Sequence, residues 1–87
     1  MTTKLQAEMI VAIAESEYTP LNGAVPETLE EAGSVWTNCI VYDQQDKGVF
    51  TSLMNAGLVD HSGKGSDSVC SLTDDGFAEY LKIKAAN

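Results

Sequence analysis

Hydrophobic positions recur at helical spacing near the start of the chain. Residues 4–17 follow a threonine pair suited to a helix start, and their pattern predicts a helix with one buried face. That face carries Leu5, Met9, Ala12 and Ile13. Residues 18–33 contain both prolines and two glycines, so we expect an irregular connector there, with one helical turn at residues 26–32.

Two further helices are predicted after the connector. Ser34 is a suitable cap for a short second helix over residues 35–42, whose mostly inward side chains would be Val35, Trp36, Cys39 and Ile40. Asp43 then caps a third helix over residues 44–57, which Gly57 ends. One face of the third helix is apolar, with Val49, Phe50, Leu53 and Met54. The opposite face is polar, with Gln44, Gly48, Thr51, Ser52 and Asn55.

Alternation of apolar and polar residues predicts a β-hairpin next. Its strands would be residues 58–62 and 68–72, joined through a Gly63-Lys64-Gly65 tip. In the second strand one face carries Ser68, Cys70 and Leu72. Thr73 caps a last helix, whose buried side carries Phe77, Tyr80 and Leu81.

The predicted elements form one domain, residues 1–87, which is mostly α with a small antiparallel β-hairpin. Their order is that of the winged helix-turn-helix plan. We expect one core that joins the early and late parts of the chain. In it Leu5, Met9, Ile13 and Trp36 would meet Val49, Phe50, Leu53, Leu58, Leu72, Phe77 and Leu81.

The stretch from residue 57 to residue 80 resembles the wing of the MarR and PadR transcriptional regulators. Those proteins commonly show a helix end reading GLI or GLV, then a hairpin, then LTxxG. Here Gly57-Leu58-Val59 and Leu72-Thr73-Asp74-Asp75-Gly76 stand in those places, and the resemblance covers residues 43–81. It implies a winged helix that binds DNA and regulates transcription. Where those regulators usually carry arginine, this chain has Lys47 and Lys64.

The charge of the chain points away from tight, unaided DNA binding. Five lysines stand against 13 acidic residues, for a formal net charge of −8. Residues 1–33 hold six glutamates and one lysine, whereas residues 44–66 are neutral overall. Because DNA affinity comes largely from cations that neutralise phosphates, neutrality at residues 44–66 permits binding without driving it.

No motif predicts catalysis, a metal or a cofactor. The stretch Gly63-Lys64-Gly65-Ser66 lacks the spacing of a phosphate loop, and His61 has no cysteine nearby in sequence. Cys39 and Cys70 are expected to be reduced and buried. Since glutamates follow soon after the N-terminus, we expect no signal peptide and a cytoplasmic protein.

Two function classes remain open. The first is a small regulator or accessory subunit that binds double-stranded DNA through Gln44, Gln45, Lys47, Thr51, Ser52, Asn55 and Lys64. The second is an acidic interaction module that binds a basic protein partner, or mimics DNA, through Glu15, Glu17, Glu27, Glu30 and Glu31. We also expect a homodimer that uses Val11, Tyr18 and Ile83.

Overall fold

The computed structural model describes residues 3–15, 25–64 and 67–86, and these are mostly helical with a small three-stranded antiparallel sheet. The helices are α1 (Lys4–Ala14), α2 (Leu29–Ala32), α3 (Gln44–Asn55) and α4 (Asp74–Ala86). The strands are β1 (Ser34–Trp36), β2 (Val59–Ser62) and β3 (Val69–Leu72). One turn of 3-10 helix, Thr37–Cys39, follows β1. The predicted classification as mostly α is confirmed.

Local side-chain signals define where the helices begin and end. Asp43 caps α3 by accepting a hydrogen bond from the Asp46 backbone N–H at 2.8 Å, and Thr73 caps α4 by accepting from the Gly76 N–H at 3.0 Å. Gly57 takes a left-handed conformation, with φ of 77°, directly after α3. The Leu58 N–H then donates to the Leu53 carbonyl, which completes a Schellman motif. These three predicted boundaries are confirmed.

The sheet has the strand order β1-β3-β2, so the last strand in sequence is the central one. In β3 the side chains of Cys70 and Leu72 face the core, as the alternation predicts, and Val59 of β2 lies opposite Leu72. β1 pairs with the other edge of β3, from Ser34 opposite Ser71 to Trp36 opposite Val69. The predicted hairpin is therefore confirmed, but it is part of a larger sheet.

The prediction of a second helix over residues 35–42 is wrong. The chain is extended at β1 and makes only the 3-10 turn after it. Val, Trp, Thr and Ile favour the extended conformation of a strand, and pairing with β3 decides between the alternatives. The Thr37 N–H continues this pairing by donating to the Ser68 carbonyl at 3.0 Å.

The core lies between the inner face of the sheet and helices α1, α3 and α4. Its fully buried side chains include Ile10, Ile13, Leu53, Cys70 and Tyr80. Three residues predicted to be in the core are exposed instead, since the exposed fraction is 48% for Trp36, 47% for Leu81 and 43% for Leu5. Strand alternation directs Trp36 to the sheet face opposite Val35, and α4 turns Tyr80 inward in place of Leu81.

The buried face of α1 also differs from the prediction. Leu5 and Ala12 are exposed, whereas Ile10 and Ala14 are completely buried beside Met9 and Ile13. The helix packs against α3, α4 and β3 together, so its buried face is rotated toward Ile10 and is wider than one apolar stripe.

Polar side chains connect α1 to α4. The Tyr80 hydroxyl donates a hydrogen bond to the Glu15 carboxylate at 2.5 Å, and Lys84 Nζ lies 3.1 Å from the same carboxylate. Burial, reinforced by this hydrogen bond and by the negative charge of Glu15, raises the pKa of Tyr80 well above that of a solvated phenol. Glu15 is therefore part of the structural framework.

Candidate nucleic-acid interface

One stripe of α3 faces away from the core along the length of the helix. Gln44, Lys47, Thr51 and Asn55 recur at intervals of three and four residues, and all four side chains are exposed. Phe50 and Leu53 hold the opposite side of the helix in the core. We call these four exposed residues the α3 face. They belong to the set that the sequence predicts to contact DNA.

The acidic side chains at the start of α3 take part in capping. Asp43 accepts from the Asp46 N–H, while the Asp46 carboxylate accepts from the Tyr42 N–H at 3.0 Å. The Tyr42 hydroxyl donates to the Cys39 carbonyl at 2.7 Å. These contacts join the 3-10 turn to α3 and place two carboxylates at the N-terminal end of the helix, where its dipole favours negative charge.

Two other predicted contact residues lie elsewhere on α3. The Ser52 hydroxyl donates to the Val49 carbonyl at 2.7 Å and accepts from Gln6 Nε2 at 2.9 Å, so it bridges α3 to α1. Gln45 is exposed but lines a groove between α1 and α3, together with Leu5. The structure thus separates Ser52 and Gln45 from the α3 face. The seventh predicted residue, Lys64, is exposed in the connection between β2 and β3.

A groove of about 340 Å³ runs beside the α3 face, between the 3-10 turn, α3 and β2. We call it the α3 groove. It is lined by Thr37, Asn38, Val41, Lys47, Phe50, Thr51, Met54 and His61. Among these described residues none carries a carboxylate, although the chain has 13 acidic residues. The groove instead contains one of the five lysines and the single histidine of the chain.

Asn38 and His61 are absent from the set of contact residues predicted from sequence. Asn38 falls in the segment predicted as a helix, and the 3-10 turn brings it to the groove. His61 follows Val59 by two positions in β2, so both side chains leave the strand on the side that faces α3. That alternation is a sequence signal that identifies His61, provided that the strand is known to pack on α3.

The acidic residues of the second hypothesis are not equivalent. Glu15 binds Tyr80 and Lys84, and the Glu31 carboxylate accepts from the backbone N–H groups of Glu27 and Thr28 at the start of α2. The side chains of Glu27 and Glu30 are exposed. Glu17 lies outside the described residues, as does Tyr18 of the expected dimer contact.

The two cysteines differ in exposure. Cys70 is buried in β3, and burial raises the pKa of its thiol to about 11. Cys39 is half-buried in the 3-10 turn. Because the thiolate is the reactive form, the burial that raises this pKa also disfavours reaction of the Cys70 thiol near neutral pH.

The chain matches no protein-family model, no curated protein and no solved structure. Within residues 3–15, 25–64 and 67–86, none of the helices has the length and apolar character needed to cross a membrane. The same residues bring together no group of three or more side chains of the kinds that bind metal ions.

Proposed function

We propose that this chain is a winged helix-turn-helix domain. The support is topological, since a helix leads through a left-handed glycine into an antiparallel hairpin, and a third strand pairs with the far edge of that hairpin. α3 then corresponds to the recognition helix and the β2–β3 connection to the wing. A single 3-10 turn, Thr37–Cys39, stands where a helix-turn-helix has its first helix.

We further propose that the domain binds double-stranded DNA through the α3 face, as a regulator or accessory subunit. The observation that carries this proposal is the α3 groove, which has no acidic residue along its described lining in a protein of net charge −8. Carboxylates in the groove would repel phosphates, so a helix face that borders a groove without them is suited to approach a duplex. The two carboxylates at α3, those of Asp43 and Asp46, lie at its N-terminal end.

Each side chain of the α3 face has a role in such a complex. Gln44 and Asn55 carry amides, which pair with the edge of adenine in the major groove. Thr51 offers a methyl group for thymine and a hydroxyl for a base or a phosphate. Lys47 and, from the wing, Lys64 neutralise phosphates. Two lysines per chain give weak binding that depends strongly on salt.

Because a single domain would bind DNA weakly, a dimer that places two α3 faces on one duplex is favoured. A groove of about 370 Å³ between α1 and α4 is lined by Lys4, Ala7, Glu8, Val11 and Ile83. Its lining combines the apolar Ala7, Val11 and Ile83 with one cation and one anion, Lys4 and Glu8, a turn of helix apart. A two-fold axis that pairs α1 with α1 of a second copy in antiparallel fashion would set Lys4 against the Glu8 of that copy. A second copy of this chain is the occupant that we propose for this groove.

The second candidate function is an acidic module that binds a basic protein partner. It is favoured by the exposure of Glu27 and Glu30 in and before α2. Such a surface would accelerate encounter with a cationic partner and would repel DNA.

The experiment that separates the two is a salt titration of binding to a random-sequence duplex, followed by fluorescence anisotropy. With Lys47 and Lys64 contributing from each chain of a dimer, the slope of log affinity against log salt should be about −3 to −4. Absence of binding at about 50 mM salt, where phosphate contacts are strongest, would remove the DNA-binding proposal and leave the second candidate.

A further inference from the structure

His61 is held in a defined position beside α3. Its ring centroid lies 5.7 Å from that of Phe50, and the two ring planes are 79° apart, which is an edge-to-face contact. The side chain is nevertheless exposed. The contact with Phe50 therefore places the imidazole in the lining of the α3 groove, with part of the side chain open to solvent.

The charged groups around His61 favour an anion. Lys47 of α3 is the only other group along the described lining of the groove that bears a positive charge, and the 3-10 turn contributes the neutral Thr37 and Asn38. From β3, Cys70 pairs with His61 across the sheet, and its thiol is protonated near neutral pH because burial raises the pKa to about 11. Asp60 precedes His61, but strand alternation puts its carboxylate on the opposite face of the sheet.

We propose that the α3 groove is a phosphate-binding site, in which Lys47 and protonated His61 hold one phosphodiester of the DNA backbone. The Asn38 amide and the Thr51 hydroxyl supply neutral hydrogen-bond donors to the same group. This inference rests on the proposed function and deepens it. A helix that lies in the major groove has a sugar–phosphate strand along each side, and the α3 groove would receive one of them.

Proton uptake follows from this site. Histidine changes charge between pH 5 and 8, and a phosphate at the imidazole favours the charged form. Binding of DNA by this chain would therefore strengthen as the pH falls, and His61 would be protonated in a larger share of the bound molecules than of the free ones.

The test uses proton NMR of the full chain, because its single histidine makes the imidazole signals those of His61 without assignment. The titration midpoint of these signals is measured for the free protein, with a short duplex, and with inorganic phosphate at the same ionic strength. We expect the duplex to raise the midpoint by about one pH unit, which corresponds to tenfold tighter binding of the duplex to the protonated form. Inorganic phosphate should raise it much less.

Three other outcomes would each overturn a different claim. If the duplex shifts other signals but leaves the His61 midpoint unchanged, the phosphate site is wrong and DNA binding stands. If inorganic phosphate raises the midpoint as much as the duplex does, the groove is a general anion site and not a DNA contact. If the duplex shifts no signal at any pH, both the site and the proposed function fail.

A second measurement uses duplex affinity at pH 5.5 and pH 8. The wild-type salt slope should be steeper at pH 5.5 by up to about 0.9 per chain, which is the contribution of one additional cation in contact with phosphate. His61→Gln should have the same slope at both values of pH. Lys82→Gln is the control, because Lys82 lies on α4, pairs with Glu79 and is not among the residues that line the groove. It should keep the wild-type dependence on pH, and a His61→Gln protein that also keeps it contradicts the proposal.

Discussion

Leu53 and Leu81 both occur at positions that the apolar pattern assigns to the core, yet they differ completely in burial. Leu53 has no exposed surface, whereas 47% of Leu81 is exposed. Periodicity alone cannot separate them. An amphipathic pattern defines an apolar stripe about 100° wide, but it does not show which edge of that stripe the neighbouring elements cover. The neighbours of α4 cover Tyr80 and Phe77 instead.

Alanine substitutions of the two leucines therefore allow a matched comparison of the free energy of unfolding. Leu53→Ala should lower the free energy of unfolding by about 2–5 kcal/mol, because it leaves a cavity among buried side chains. Leu81→Ala removes the same atoms from a half-exposed site and should cost about 1 kcal/mol or less. Urea denaturation of the three proteins measures both values. Equal losses for the two variants would contradict the packing described for α4.

At the scale of elements, what could be predicted depends on how local the signal is. The boundaries of α3 and α4 and the hairpin follow from caps, a left-handed glycine and alternation, all of which act within a few residues. β1 was not predictable in this way, because its partner β3 lies more than 30 residues farther along the chain. Ser34 is a suitable helix cap, and only pairing with β3 shows that the segment is extended.

The same reasoning applies to the candidate site. The polar face of α3 follows from helical spacing, so Gln44, Lys47, Thr51 and Asn55 could be identified from sequence. Ser52 lies at the margin of that face, and its contact with Gln6 depends on how α1 crosses α3. His61 and Asn38 enter only when β2 and the 3-10 turn pack beside α3.

The hydrogen bond from Tyr80 of α4 to Glu15 at the end of α1 predicts how the free energy of unfolding responds to alkaline pH. Folding raises the pKa of Tyr80, so the folded state favours the protonated phenol. The stabilisation is complete below about pH 10, where an unfolded tyrosine is still protonated, and is lost as the pH rises above that value. Tyr80→Phe cannot ionise there and should lose less stability than wild type between pH 8 and pH 11.

Urea denaturation of wild type and Tyr80→Phe at both values of pH gives the comparison. At pH 8 the variant should be less stable by about 1–3 kcal/mol, because the hydroxyl that binds the charged Glu15 is gone. Other groups titrate in both proteins and cancel. If both proteins lose the same free energy of unfolding between pH 8 and pH 11, folding does not raise the pKa of Tyr80.

At the scale of the whole molecule, the dimer proposal makes Val11 a test residue. Val11 lines the groove between α1 and α4 and is only half-buried within one chain. Val11→Glu should therefore leave the monomer folded and shift association to concentrations at least about tenfold higher, since it places a carboxylate in an apolar contact. Analytical ultracentrifugation measures this, with Glu30→Gln as the control for a change of charge. Wild-type protein that sediments as a monomer at high micromolar concentration would remove the dimer.

The distribution of acidic residues separates the two candidate functions. The variant Glu27→Gln/Glu30→Gln keeps Glu31, whose carboxylate caps α2, and removes two exposed negative charges. A DNA-binding protein should gain duplex affinity of about two- to fivefold at 50 mM salt, with the gain fading at higher salt because exposed charges are screened. A module that binds a basic partner should instead lose affinity for an oligolysine peptide. If neither affinity changes, Glu27 and Glu30 take part in neither function.

The duplex affinity of Thr51→Glu tests the proposal that the α3 face contacts DNA. Thr51 is exposed in the middle of that face, so a carboxylate there would meet the duplex without disturbing the core. Ser52→Ala is the neighbouring control, because the Ser52 hydroxyl bonds to α1 and Val49 inside the fold. Measured at about 50 mM salt, Thr51→Glu should lose at least tenfold in affinity, while Ser52→Ala stays within about twofold of wild type. Wild-type affinity in a folded Thr51→Glu protein would contradict the claim.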